Sequence, residues 1–86
     1  MDEQKTAAQE SQAMMMGDQE RNSACNALGG AIDELSTIRN YFNIMQGSTS
    51  EVEKAKYAEI IADELNHVEV FVNIFIEKSG IQPKED

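Results

Sequence analysis

The chain has 86 residues, one cysteine and a net charge of −9, with a sequence pI near 4.4. That length bounds it to one small domain, of a size that often draws stability from a metal, a disulfide or a second chain. A single cysteine excludes an internal disulfide and fits a reducing cytosol, so a cytoplasmic protein is expected. The acidic balance argues against nucleic acid and anionic membrane as partners and suits solubility or cation binding, although many soluble proteins are acidic for no further reason. No apolar run approaches the roughly 18–20 residues that span a bilayer.

Residues 1–20 are rich in Gln, Glu, Asp and Ala and show no apolar period before the "AMMM" run at 13–16. They read as a disordered arm or a frayed polar helix. Their start, "MDEQKTAAQESQ", is polar and acidic, unlike a signal peptide. Met14, Met15 and Met16 offer either a docking patch or soft-metal ligands, but a loose tail is the simpler reading.

From about Asn22 the pattern changes. Leu28, Ala31, Leu35, Ile38, Phe42 and Met45 recur at spacings of three and four, which is one face of an α-helix. Gly29-Gly30 interrupts it, at about 1 kcal/mol per glycine relative to alanine. The pair is consistent with close approach of another backbone, with a kink, or with the true helix start. Gly47 supplies a C-terminal stop.

"SEVEK" follows, and both Ser48 with Glu51 and Ser50 with Glu53 fit the S-x-x-E capping box. A second helix is expected from about Ser50 to Lys78, with Val52, Ala55, Ile61, Leu65, Val68, Phe71 and Phe75 as its apolar stripe. Gly80 and Pro83 in "SGIQP" end it. The expected organisation is an arm at 1–20, an antiparallel helical hairpin at 21–80 and a short tail at 81–86. Two helices bury little, and Val70, Val72, Ile74 and Ile76 make the second one oily on more than one side. Self-association is therefore expected, as a homodimer forming a four-helix bundle or as a higher homo-oligomer.

The sole histidine sits in the stretch "IIADELNHVEVF", three residues after Glu64. An i, i+3 pair on a helix points both side chains the same way, so a carboxylate oxygen and an imidazole nitrogen converge on one ion. In a chain this rich in glutamate, E-x-x-H alone is a weak signal. Three features strengthen it. Glu34 shares a face of the first helix with Ala27, Ala31, Ile38, Tyr41 and Met45, and a charge there is costly to bury unpaired. Glu34 lies 12 residues before Gln46 and Glu64 lies 14 after Ser50, about 18 and about 21 Å along their helices, so the two meet at nearly one level of an antiparallel hairpin. Tyr41 stands seven residues beyond Glu34 on the same face, where a phenol can support a ligating carboxylate.

Glu34 with Tyr41 matches an E-x6-Y half-motif, and "ADELNH" matches D-E-x-x-H. Together they resemble one half of a rubrerythrin-type, ferritin-like di-iron bundle. The likeness covers residues 23–80 and is closest to the short two-helix members, among them the encapsulated ferritins. The resemblance implies Glu34 and Glu64 as carboxylate ligands, His67 as the nitrogen ligand, and Tyr41 and Asp63 behind them. Two copies would supply four carboxylates and two imidazoles for two iron ions, with manganese as the alternative. It also implies oxidation of Fe(II) by oxygen or peroxide, with Glu34, Glu64, His67 and Tyr41 as the catalytic set. The chain departs from the family in having no rubredoxin-like cysteine cluster and no encapsulin-docking tail in "IQPKED".

Other candidates are weaker. Asp33, Glu59 and Glu69 suit either a cation entry path or an ordinary solvated face, and the solvated face is the simpler reading. Cys25 has no neighbouring base in sequence and reads as a small buried or half-exposed hydrophobe. The competing functional reading is a helical-hairpin interaction module, or a degenerate ferritin-like protein, with its carboxylates satisfied by Arg39, Lys54 or water.

Overall fold

The computed structural model describes residues 17–85. Two helices, α1 (Asp18–Gly47) and α2 (Glu51–Ser79), pack against each other as a hairpin. The expected all-helical hairpin is therefore present. The methionine run and most of the expected arm lie outside the described residues.

α1 starts at Asp18, earlier than the apolar period indicates. Gly17 precedes it in extended conformation without a side-chain cap. Asp18 and Glu20 fill the first turn, where negative charge meets the positive end of the helix dipole. Arg21 closes the turn with a 2.7 Å ion pair to Asp18, solvent-exposed and so of small energetic weight. Polar residues with good local electrostatics extend a helix without showing any apolar period.

α1 ends at Gly47, as expected, but not through a left-handed glycine. Ser48 turns to extended conformation and its N–H donates to the Met45 carbonyl at 3.2 Å. The connection to α2 is a hydroxyl network. Ser50 caps α2, its Oγ accepting from the Glu53 N–H at 3.1 Å. Ser48 Oγ donates to Glu53 Oε1 at 2.7 Å and accepts from the Ser50 N–H at 3.2 Å. The Ser50/Glu53 box thus forms with Ser48 as the bridge. The Ser48/Glu51 box does not form, and Glu51 instead lies 3.6 Å from Lys54 Nζ. At the far end Gly80 has φ 77° and returns its N–H to the Ile76 carbonyl at 2.9 Å, a conformation a side chain would strain. Ser79, buried, accepts from the Ile81 N–H.

The faces that meet are narrower than the apolar content suggests. On α1 the buried positions are Ala24, Ala27 and Ala31, and Glu34, Ile38, Tyr41 and Met45 continue the line half-buried. On α2 the matching line is Lys54, Tyr57, Ile61, Glu64, Val68, Phe71 and Phe75. Both repeat at alternating steps of three and four, the pattern of a coiled-coil seam. Leu28, Leu35 and Phe42, expected on the packed stripe of α1, are exposed, as are Val52, Ala55 and Leu65 of α2. Among the described residues no large side chain is fully buried.

The glycine pair divides in its role. A Cβ at Gly30 would lie 2.5 Å from the Phe71 ring, whereas at Gly29 it would meet nothing. Gly30 makes room for an aromatic side chain of α2, in place of the close backbone approach, kink or helix start expected. Small residues on α1 thus face large ones on α2, which lets the helices approach at the open end of the hairpin. Of the two states expected for Cys25, buried or half-exposed, the buried one does not occur: the thiol is exposed, because the seam runs through its neighbours Ala24 and Ala27. No helix is long and apolar enough to cross a membrane among the described residues.

Candidate metal centre

Helical spacing puts Glu64 and His67 one turn apart on α2, and the antiparallel pairing lifts Glu34 of α1 to their level. His67 Nδ1 lies 3.2 Å from Glu64 Oε1 and 3.6 Å from Glu34 Oε2. One ligand atom from each of the three residues lies within 4.8 Å of the others. Donors bound at about 2.1 Å on adjacent vertices of one octahedral ion stand about 3 Å apart, so small side-chain rotations suffice to share a cation.

Burial differs among the three. The Glu34 and Glu64 side chains are 24% and 21% exposed, and His67 is 59% exposed. The carboxylates sit in the seam and the imidazole rides at its rim. Glu64 Oε1 is buried and accepts no hydrogen bond, with His67 Nδ1 3.2 Å away. A buried acceptor left without a donor is uncommon and costly. It is also what a carboxylate ligand looks like before a cation arrives.

The electrostatics point the same way. The Glu34 carboxyl is pushed above its ordinary 4.5, first by sharing a hydrogen bond with Glu64, then by burial and by the Glu64 charge. His67 opposes this through its own charge and hydrogen bond. Two carboxylates held together favour a proton between them, or a divalent cation in its place.

The remaining expected residues fall away from this cluster. Tyr41 lies two turns from Glu34, about 10.5 Å along α1. Among the described residues it makes no hydrogen bond to a carboxylate. Its ring instead packs on Tyr57 of α2, centroids 5.8 Å apart and tilted by 38°. Tyr57 was not singled out by the sequence reading, yet its spacing signals it: Tyr57 stands seven residues before Glu64, as Tyr41 stands seven after Glu34. Asp33, Asp63, Glu59 and Glu69 are all exposed. Arg39 makes no ion pair among the described residues, and Lys54 pairs with Glu51, so neither neutralises Glu34 or Glu64.

No known family, curated protein or solved structure matches the chain.

Proposed function

We propose that two hairpins associate at the His67 side into a ferritin-like four-helix bundle and hold a pair of iron ions between them. Each chain contributes Glu34, Glu64 and His67. The observation behind this reading is the three-residue cluster itself, with the buried, unpartnered Oε1 of Glu64 at its centre. The exposed position of His67 supports a second copy, because half of a ligand set left at a rim is completed from outside.

The reaction we assign is oxidation of Fe(II), with iron as substrate. A pair of Fe(II) ions gives up two electrons, enough to reduce dioxygen to hydrogen peroxide or hydrogen peroxide to water. The carboxylates neutralise the cations and release protons when they bind, and the imidazole fixes their position. Manganese fits the same donor set.

A second reading is favoured by the exposed apolar residues of both helices. On it, the chain is a hairpin interaction module, or a ferritin-like protein without activity, and the cluster is structural. Titration of the metal-free protein with Fe(II) under anaerobic conditions separates the two. The di-iron reading expects about one iron per chain and a mass of at least two chains, then loss of Fe(II) on adding oxygen or peroxide faster than in a protein-free control. No bound iron above that of His67→Ala leaves only the second reading.

A further inference from the structure

The seam gives each helix two flanks, and an antiparallel pair aligns them. Positions one residue after Ala27, Glu34 and Tyr41 on α1 fall on the same side of the hairpin as positions one residue after Tyr57, Glu64 and Phe71 on α2. That side presents Leu28, Leu35 and Phe42 beside Leu65 and Val72, with Ile32 next to them, 40–62% exposed. His67, three residues past Glu64, lies on the opposite side. A shallow pocket between Ile32, Leu35, Ser36 and Arg39 opens on the apolar side.

Charge distinguishes this face. In a chain where 27% of residues are charged and the net charge is −9, its central stretch carries one cation, Arg39, and one anion, Glu69. Neither makes an ion pair among the described residues. Arg39 lies five residues past Glu34 and Glu69 five past Glu64. Because the helices run in opposite directions, the two charges stand about 7.5 Å to either side of the Glu34/Glu64 level.

We infer that this face is a self-association surface, separate from the metal-completing one, on which a second copy docks by a twofold axis that lies in the face at the Glu34/Glu64 level, perpendicular to the line from Arg39 to Glu69. That operation crosses the two hairpins and brings Arg39 of each copy opposite Glu69 of the other. It buries apolar surface on a face whose central stretch has no net charge, so an acidic chain associates there with little repulsion. An isologous contact on each of two opposite faces makes assembly proceed beyond a dimer. The surface stands on the apolar face and the charge pair. Only the step past two chains rests on the proposed metal-site pairing.

The test is sedimentation of wild type, Arg39→Glu, Glu69→Arg and the double charge swap, with excess Fe(II) and with chelator. Both substitutions are at exposed positions, and circular dichroism checks that helicity is kept. Wild type with Fe(II) is expected above the mass of two 9.6 kDa chains. Each single variant is expected to weaken that assembly at least tenfold without changing iron per chain, and the double swap to regain it. If the metal-site pairing is absent, iron changes nothing, yet wild type is still a dimer that each single variant splits. Wild type that never exceeds two chains with iron and one without overturns the surface, and leaves a different protein as its occupant. Single variants that keep wild-type mass overturn it as well, and a double swap that fails to recover overturns the Arg39–Glu69 pairing.

Discussion

Glu34 of α1 and Glu64 of α2 stand side by side in the seam, each within 3.6 Å of His67 Nδ1, although they lie on different helices. Two carboxylates meeting in a hydrophobic seam is a destabilising arrangement for the metal-free chain, and its consequences are measurable.

The first concerns pH. The folded state raises the Glu34 carboxyl above its ordinary 4.5, so folding favours the protonated form. The stability this gives is fully present below the unfolded value and is lost as pH rises through the folded one. In chelator, Glu34→Gln should therefore melt higher than wild type at pH 7, with the gap closing as pH falls toward 4.5. Thermal melts of both proteins across that range check it, and a gap that is constant or widens toward acid contradicts the arrangement.

Metal should reverse the sign. A cation bound only by the folded state adds RT ln(1 + [L]/Kd), about 2.7 kcal/mol at a hundredfold excess over Kd. His67→Ala and Glu64→Ala should each weaken Fe(II) binding by at least about 100-fold, the upper end of what loss of a mere supporting partner causes. Asn66→Ala, one residue from His67 but off the face, should bind like wild type, and so should Tyr41→Phe, whose ring packs on Tyr57 and not on a carboxylate. Iron per chain after desalting reads all four, and undiminished iron in His67→Ala would sink the assignment.

The two glycines should respond in opposite directions. Gly29→Ala meets open space and should stabilise α1 by up to about 1 kcal/mol. Gly30→Ala puts a Cβ against the Phe71 ring and should cost about 1–3 kcal/mol from overpacking, less that same helical gain. Adding Phe71→Leu should recover part of the Gly30→Ala loss. Denaturant melts in chelator measure all of them, and equal effects at the two glycines would mean that α2 does not pack there.

The tyrosine pair tests the register independently of metal. Tyr41 and Tyr57 rings 5.8 Å apart should couple by about 0.5–1.5 kcal/mol in a double-mutant cycle to leucine. A coupling near zero would place the two residues at different levels of the hairpin, and Glu34 and Glu64 with them.

Removing the Ser50 hydroxyl should cost about 1 kcal/mol, since Ser50→Ala leaves the Glu53 N–H without its acceptor. Ser48→Ala should cost less, as the two hydrogen bonds it breaks, to the Glu53 carboxylate and from the Ser50 N–H, are both solvent-exposed. Chemical denaturation of the two variants ranks them.

Much of this was legible in the sequence alone, because the determinants are local. Steps of three and four, a serine cap at Ser50 and a glycine stop at Gly80 are written in neighbouring residues, and they define two helices and their turn. So is the convergence of Glu64 with His67, which needs only one turn of helix. Matching Glu34 to Glu64 needed one further step, the count of residues to the loop, and a short loop fixes that count. Composition could not tell which apolar stripe faces inward, since both helices are oily on more than one side. Tertiary packing chose the stripe through Ala24, Ala27 and Ala31 over the one through Leu28, Leu35 and Phe42. Alanines opposite Phe71 and Phe75 let two helices approach closely, and leucines there would hold them apart. The same choice buried Glu34 and Glu64, left Oε1 of Glu64 without a donor, paired Tyr41 with Tyr57 and turned the larger apolar side chains outward. These are properties of the space between two helices, and no residue's neighbours in sequence record them.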